Sequence, residues 1–359
     1  MNSRENLKTR RWPAEWEPHR ATWLSWPHNN ETWPGKIGAV EDAFCEIVRA
    51  VLPGEYVEIN VRDVAHAEHV RVALRGAGID DKTGLDRIRF RGIPTDDAWI
   101  RDHGGIFVVD HEEGGVGRRV LLDFEFDAWG GKYPPWDHDV KVAEQMSRIT
   151  RVRREAYPLV MEGGALDGDG EGTLLTTESC LLHPNRNRPG QDRSKVGLEA
   201  QLREAFGAEC VIWLGDGIAG DDTDGHVDDL TRFVGPGRVV TVVETNVDDE
   251  NCGPLAKNLR RLEAARDARG RRLEITQLPM PPTIEGTWGR VPASYANFYF
   301  SNAALLVPVF GVDTDREALS LLESVVVDRP VVPIPSQNLV LGLGAVHCVT
   351  QQEPAVRSS

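Results

Sequence analysis

Strand-like and helix-like segments alternate along the whole chain of 359 residues, and this alternation constrains the fold more than any other feature of the sequence. Residues 37–52 carry apolar side chains at helical spacing, whereas residues 56–61 alternate polar and apolar side chains as a strand does. A strand–strand–helix–strand unit recurs roughly every 60–75 residues, which would give about five copies. We therefore predict an α/β fold, although a doubly wound α/β sheet would show the same periodicity.

The remaining elements are predicted from apolar periodicity and turn residues. Helices are predicted over residues 64–76, 194–206, 253–269 and 313–327. Strands are predicted over residues 88–94, 104–110, 118–126, 159–166, 172–182, 210–215, 233–244 with a bend at 235–237, 273–279, 297–310 with a hairpin turn near 301–302, 331–335, and before the last cysteine. Because neither a linker nor a low-complexity tract interrupts this order, we predict a single domain over residues 1–359, with function in loops after strands.

The charge balance favours one class of partner over others. Lys and Arg number 41 and Asp and Glu number 56, so the formal net charge is −15. Sequence-independent nucleic-acid binding needs a basic surface, so no nucleic-acid partner is expected, whereas a small cationic substrate suits this charge. No run of 18 apolar residues exists, so no membrane-spanning segment is predicted.

The five cysteines indicate a reducing compartment, because they form no CxxC pair and their odd number fits no disulfide framework. We therefore expect a cytoplasmic protein. Cys348 lies in a polar, glycine-containing segment and is a candidate nucleophile. The adjacent His347 is predicted to face the other way on a strand, so it is not expected to be the base. The other cysteines fit structural positions, in helices for Cys45 and Cys252 and in apolar strands for Cys180 and Cys210.

Three further segments concentrate catalytic residue types: TDDAWIRDHGG at 95–105, MEGGALDGDGEG at 161–172 and GDGIAGDDTDGHVDDLTRF at 215–233. Glu162 ends a strand before two glycines, which leave space for its carboxylate to face a pocket. His226 and Asp228 stand two residues apart, so an extended backbone would place both on one face. A histidine beside a carboxylate is either an acid/base group or a metal ligand.

A metal site is an alternative for the segment 215–233. Asp222 and Asp224, with His226 and Asp228, would then be ligands in a metal-dependent hydrolase. A calcium loop needs Glu six residues after its glycine, and Thr231 stands there instead. Five tryptophans between residues 12 and 33 are expected to pack mainly in the core, with an aromatic wall for a cation as the alternative.

Taken in order, these segments resemble the agmatine deiminase family, which includes the bacterial peptidylarginine deiminases of the Porphyromonas type. The resemblance spans nearly the whole chain. It rests on WPAEWEPHRATWLSWP at 12–27, TDDAWIRDHGG at 95–105, LVMEGGALDGDGEGTLLTTESCLL at 159–182, NRN at 185–187, DGHVDD at 224–229, PASYANFYFSN at 292–302 and VHCVTQQ at 346–352. It implies a five-bladed α/β propeller of ββαβ units around a substrate channel, a homo-oligomer, and neither a metal nor an organic cofactor.

The resemblance also implies roles for individual residues. Cys348 resembles the family nucleophile, and His226 resembles its general acid/base. Asp102 and Asp228 resemble the two carboxylates that bind the guanidinium. The remaining implied site residues are Glu162, a carboxylate near the histidine, and Trp99, a substrate contact in the W-x-R-D segment.

The implied reaction is hydrolysis of agmatine to N-carbamoylputrescine and ammonia through a thiouronium on the cysteine, a step of putrescine biosynthesis. A deiminase of arginine residues or of another guanidino compound is the alternative within the family. A propeller that binds a cation without catalysis is a further alternative. Two departures from the family pattern, Leu343 between two glycines and Gly105 after Gly104, leave the exact substrate open.

Overall fold

The computed structural model describes residues 10–80, 82, 84–111, 117–287 and 289–356. The helices in these ranges are α1 (Ile37–Val51), α2 (Val64–Gly76), α3 (Ile100–His103), α4 (Ala128–Gly131), α5 (Val142–Thr150), α6 (Glu178–Leu181), α7 (Lys195–Phe206), α8 (Cys252–Ala264) and α9 (Thr314–Val325). The first strands are β1 (Arg10–Arg11), β2 (His19–Ser25), β3 (Tyr56–Val61), β4 (Ile88–Gly92), β5 (Ile106–His111), β6 (Gly117–Glu125), β7 (Arg153–Val160), β8 (Asp167–Gly168), β9 (Thr173–Thr177) and β10 (Cys210–Leu214). The later strands are β11 (Thr231–Gly235), β12 (Arg238–Val243), β13 (Glu274–Pro279), β14 (Glu285–Gly286), β15 (Gly289–Arg290), β16 (Tyr299–Phe300), β17 (Leu305–Val309), β18 (Val331–Pro335) and β19 (Gln351–Pro354).

Five sheets of three or four strands share one pairing pattern in the part of the chain that the structure describes. In each sheet an antiparallel pair is followed by a parallel neighbour, as in β8–β9–β10, β11–β12–β13 and β16–β17–β18. The parallel neighbour is reached through a helix, since a parallel connection has to cross back over the sheet. Sheets β1–β5–β6–β7 and β19–β2–β3–β4 contain the same unit with one extra strand each. The predicted α/β class and strand–strand–helix–strand order are therefore present.

The helices begin and end where local side chains satisfy the backbone. Asp63 accepts a hydrogen bond from the His66 backbone N–H at 2.8 Å and starts α2. Ser194 starts α7 in the same way, and Gly207, with a φ of 68°, ends it in the left-handed region. The helix α1 packs its apolar face, including Phe44, against strand residues of the core such as Leu24 and Ile59.

The early tryptophans pack mainly in the core, as predicted. Trp23, Trp26 and Trp33 are fully buried, Trp12 is buried beside Phe206, and Trp16 is half-buried. Across the described ranges, no helix combines the length and the apolarity needed to cross a membrane.

Two predictions around the cysteines are wrong. The strand expected over 172–182 ends at Thr177, whose hydroxyl accepts a hydrogen bond from the Cys180 backbone N–H and starts α6, so Cys180 lies in a helix. The strand expected before Cys348 is instead a 3-10 helix over Leu339–Gly342 followed by turns, and β19 begins after the cysteine. His347 is consequently not on a strand and does not face away from the site.

Candidate active site

A cavity of about 610 Å³ reaches Cys348 and Asp102. Trp99 forms part of the wall of this cavity. Its side chain is buried, and its ring centroid lies 5.2 Å from that of Trp33. The described lining residues include six carboxylates and two basic side chains. Such a surface attracts a small cation, in line with the acidic composition of the chain.

Cys348 lies at the inner end of this cavity in a turn fixed by hydrogen bonds. Its carbonyl oxygen accepts from the Arg101 backbone N–H at 3.2 Å. Its sulfur accepts from the Asn297 side-chain amide at 3.2 Å and lies 3.9 Å from Oδ2 of Asp228. The sulfur and the predicted guanidinium-binding carboxylate therefore share one site.

The thiol is held in its protonated form in the free site. Burial raises the pKa of Cys348 well above its usual value, and the nearby carboxylates of Asp228 and Asp229 add to the effect. A cation that enters between the thiol and these carboxylates lowers the pKa of Cys348, because it stabilises the thiolate. Formation of the nucleophile is thereby linked to binding of a cationic ligand.

Asp102 is presented to the cavity by the short helix α3. Its Oδ1 accepts from the Gly164 backbone N–H at 3.0 Å, and its Oδ2 accepts from the Trp129 indole N–H at 3.1 Å. Burial raises the pKa of Asp102, and the nearby His226 opposes that rise. The carboxylate is thus oriented by two donors on one side and leaves its remaining lone pairs for a ligand.

Trp129 reaches Asp102 through an unusual backbone conformation. Ala128 and Trp129 have φ values of 53° and 57°, and Gly130 and Gly131 follow at 91° and 79°. A left-handed conformation costs roughly 1–2 kcal/mol for each residue with a Cβ. Such strain is typical of functional sites, and here it aims the indole N–H at a site carboxylate.

His226 stands between two of the predicted carboxylates. Its Nδ1 lies 3.8 Å from Asp102, and its Nε2 lies 3.6 Å from Glu162. Both contacts exceed hydrogen-bond length, so neither ring nitrogen is committed within the part of the chain that the structure describes. Burial alone would lower the pKa of His226, but Asp102 and Glu162 outweigh it and raise the pKa well above its usual value. The ring is therefore a buried imidazolium with protons available to a ligand.

Glu162 is kept ionised by a buried arginine. Nε of Arg186 donates to both carboxylate oxygens of Glu162, at 3.1 and 2.9 Å. Burial alone would raise the pKa of Glu162, but the charges of Arg186 and His226 lower it to about 2. Glu162 consequently serves as a fixed anion behind His226 rather than as a proton donor.

Gly164 lies at the centre of the site. A Cβ on this residue would stand 2.5 Å from Nδ1 of His226 and 3.0 Å from an oxygen of Asp102 and of Asp228. The sequence predicted that glycines here leave space for Glu162. Gly164 leaves space for His226, Asp102 and Asp228.

We expect Gly164→Ala to lower kcat/KM by about a hundredfold or more, since displacing site groups by about 1 Å has costs of this size. Gly38→Ala is the matched control, because no atom lies within 4 Å of a Cβ there. Steady-state ammonia release from both variants checks this, and normal activity in the Gly164→Ala variant would contradict the central position of this glycine.

The metal alternative for residues 222–228 does not match the geometry. Asp224 accepts from Arg186 and Asn185, each at 2.7 Å, and forms an ion pair with Lys132 at 2.8 Å. The described residues hold one group of three candidate ligands in mutual reach, namely Glu162, Cys180 and His226. Arg186 already occupies both oxygens of that glutamate, so a cation there would meet a guanidinium.

All six predicted site residues lie close together. For His226 and Asp228, however, the backbone conformation differs from the predicted one. His226 and Asp228 are not on an extended segment, because Val227–Asp229 is a 3-10 helix that His226 precedes. The sequence prediction missed Asn297, which contacts the nucleophile, and three neighbours of the site carboxylates and histidine. These three are Arg186, Cys180 and Trp129.

A profile of the Porphyromonas-type peptidyl-arginine deiminase family matches residues 11–354. The chain belongs to this family. The predicted resemblance is confirmed, and the match includes every residue described in the site. Roles within the site are treated below as proposals.

Several proteins similar to this deiminase family member are named agmatine deiminases. The agmatine deiminase of Ectopseudomonas mendocina is 38% identical over 368 residues, covering 96% of this chain and 95% of the relative. The structure of the Enterococcus faecalis agmatine deiminase matches with a TM-score of 0.87 at 30% identity, covering 99% of this chain and 98% of that one. A cysteine-to-serine variant of a C. jejuni agmatine deiminase with substrate bound matches with a TM-score of 0.85 at 28% identity, covering 97% of each chain. The mixed α/β fold is shared with these structures.

Proposed function

We propose that this chain is an agmatine deiminase, which hydrolyses agmatine to N-carbamoylputrescine and ammonia with Cys348 as the covalent nucleophile. The observation that carries the proposal is the sulfur of Cys348 at the end of an acidic cavity, 3.9 Å from Asp228. A thiol beside carboxylates is poorly suited to attack by itself, but it is well suited to attack a bound cation. Curated relatives that cover the same length are named agmatine deiminases.

Substrate binding is the first step of the proposed mechanism. The guanidinium is planar and always charged, and it offers its N–H groups in a fork that matches carboxylates. Asp102 and Asp228 receive this fork, while Trp99 covers one side of the cavity. The positive charge of the substrate lowers the pKa of the Cys348 thiol, so that its proton passes to solvent and the thiolate forms next to the guanidinium carbon.

The second step replaces one nitrogen by sulfur. The thiolate adds to the carbon, and the His226 imidazolium gives a proton to one terminal nitrogen, which leaves as ammonia. The carbon then carries the sulfur, the remaining amino nitrogen and the substituted nitrogen as a thiouronium cation. Asn297 donates to the sulfur at 3.2 Å and holds it in line with this carbon.

The third step regenerates the enzyme. Neutral His226 removes a proton from water, and the resulting hydroxide adds to the thiouronium carbon. The carbon–sulfur bond breaks, the hydroxyl proton passes to the leaving sulfur and restores the thiol, and the carbon becomes the carbonyl of a urea. His226 is again an imidazolium, because it keeps the proton taken from water, and the anion of Glu162, fixed by Arg186, stabilises that charge for the next cycle.

We also infer a five-bladed propeller that forms a single catalytic domain over residues 1–359. In the described chain, five site residues lie shortly before a strand, each in a different sheet: Asp102 before β5, Glu162 before β8, Asp228 before β11, Asn297 before β16 and Cys348 before β19. Because these residues meet, the beginnings of five sheets converge on one point, as blades do around an axis. These site residues accordingly lie just before strands. The sequence had suggested loops after strands instead. The homo-oligomer and the cytoplasmic location stay predictions.

The proposed function is tested by measuring ammonia from agmatine, free arginine and a peptide with C-terminal arginine. We expect release from agmatine at the highest kcat/KM, and a ureido product of matching amount. Release from the peptide and none from agmatine would contradict the proposal and favour a deiminase of arginine residues. Stabilisation by agmatine without ammonia release would favour a cation-binding protein without catalysis.

Metal removal is expected to leave the activity unchanged, because Arg186 holds the carboxylates of Glu162 and Asp224 that a metal would need. Ammonia release is measured before and after dialysis against EDTA, with the untreated protein as the control. Activity that disappears and returns with Mn²⁺ would contradict the mechanism and support a metal-dependent hydrolase.

A further inference from the structure

His347 is enclosed by two buried carboxylates behind the nucleophile. Its Nδ1 lies 2.6 Å from Oδ2 of Asp228, and its Nε2 lies 2.8 Å from Oε2 of Glu15. The ring is 1% exposed, and the His347 backbone N–H donates to the side chain of Asn297 at 2.9 Å. The ring is therefore fixed from both ends and by its own backbone.

The two carboxylates that contact this ring are ionised. Burial alone would raise the pKa of Glu15, but Arg232, His347 and Arg101 overcome it and hold that carboxyl in its ionised form. Burial acts in the same direction on Asp228, and the hydrogen bond and charge of His347 again leave the pKa below its usual range. An ionised carboxylate only accepts, so the hydrogen bond between Asp228 and His347 is donated by Nδ1 of the ring.

His347 belongs to a buried network of ion pairs. Ion pairs connect His347 to Glu15 and Asp228, and they connect Glu15 onward to two arginines. Among the described residues, this network contains His347, Arg101, Arg232, Glu15, Asp228 and Asp167. It places Oδ2 of Asp228 beside the sulfur of Cys348, where a thiolate has to form.

We propose that His347 is a positioning residue that donates from Nδ1 to the Asp228 carboxylate and holds it oriented for the guanidinium. The proposal rests on the proposed function and adds a determinant of substrate affinity to it. Asp228 uses the same oxygen, Oδ2, toward His347 and toward the thiol, so movement of this oxygen would alter both binding and attack. The two histidines then have separate tasks, since His226 has uncommitted ring nitrogens and His347 has none.

His347→Gln tests this role through binding and pH dependence. Gln can donate one hydrogen bond to Asp228 but carries no charge, so the pKa of Asp228 should rise. We expect the KM for agmatine to increase roughly ten- to hundredfold, the range for losing a hydrogen bond between charged groups, with a smaller change in kcat. We also expect the acidic limb of kcat/KM to move to higher pH, because Asp228 has to be ionised to bind the cation.

His19→Gln is the matched control. His19 is also buried and also faces a carboxylate, with Nδ1 at 3.1 Å from Glu55, but it lies outside the site. This variant should lose stability and keep the wild-type KM and pH profile. The proposal is overturned if His347→Gln keeps the wild-type KM and acidic limb. A collapse of kcat at unchanged KM would also overturn it, because that result would identify a proton-transfer group.

A second measurement uses the wild-type protein and does not depend on a folded variant. Neutron diffraction from crystals near pD 8 should show deuterium on Nδ1 of His347, directed at Asp228. An Nδ1 without deuterium would overturn the proposal whatever the activity. This readout also separates the two proposals, since a protein that releases no ammonia from agmatine would fail the proposed function while the deuterium on Nδ1 of its His347 can still be observed.

Discussion

Replacing Cys348 by alanine is expected to reduce ammonia release from agmatine by at least about 10⁴-fold, because no other thiol is among the described residues that line the cavity. Binding should survive, since Asp102 and Asp228 remain in place. The variant should still be stabilised by agmatine in a thermal unfolding experiment. Initial rates of ammonia release, measured with coupled detection, quantify the loss.

Cys252→Ala is the appropriate control for this variant. Cys252 lies at the start of α8, is half-buried, and belongs to none of the contacts of the site. Cys180 is unsuitable as a control, because it lies within 4.8 Å of the ligand atoms of His226 and Glu162. Substantial turnover by the Cys348→Ala variant would contradict the nucleophile assignment, and inactivation of the Cys252→Ala variant would point to general sensitivity of the fold.

His226→Gln is expected to lower kcat by roughly 10²–10⁴-fold, the usual contribution of a general acid/base. The wild-type profile should lose activity at high pH, since the imidazolium that protonates ammonia disappears as pH rises through its raised pKa. This alkaline limb should be absent from the variant. Full pH profiles of kcat for both proteins provide the measurement.

The raised pKa of His226 also makes the stability of the folded protein depend on pH. The folded state binds the proton more tightly than the unfolded state, so the stabilisation is fully present below the unfolded pKa and is lost as pH rises through the folded pKa.

His69→Gln is the control for the pH profile of kcat, because this histidine is largely exposed and pairs with Glu41. An alkaline limb that persists in the His226→Gln variant would assign the titration to another group.

The periodicity of the sequence predicted the regular elements well. The helix predicted over 37–52 is observed over Ile37–Val51, and the strands predicted over 56–61 and 331–335 have the observed bounds. The hairpin turn near 301–302 and the bend at 235–237 are also confirmed. These features depend on local spacing and turn residues, which a single sequence displays directly.

The elements that were wrong depend on contacts from elsewhere. The apolar run 172–182 reads as one strand, but the hydroxyl of Thr177 caps a helix within it. The segment around His347 has strand-like composition, yet hydrogen bonds to Asn297 and ion pairs to Glu15 and Asp228 hold it in a turn. Side chains up to 332 residues away decide this conformation, and no local pattern contains that information.

The site residues likewise divide into those that the sequence identifies and those that depend on contacts between distant segments. Cys348, His226 and the carboxylates could be identified because they lie in ordered motifs of a recognisable family. Asn297 and Arg186 lie inside two of those motifs, but their contacts with Cys348 and Glu162 join segments 51 and 24 residues apart. Trp129 lies in none of the quoted motifs, and its left-handed backbone gives no clear signal in the sequence.

Rapid acid quenching during agmatine turnover, followed by peptide mass spectrometry, tests the covalent role of Cys348 most directly. We expect the peptide that contains Cys348 to gain the mass of agmatine minus ammonia, as the thiouronium requires, and the Cys348→Ala protein to show no such gain. Full turnover with no adduct at Cys348, or an adduct on a different cysteine, would contradict the account.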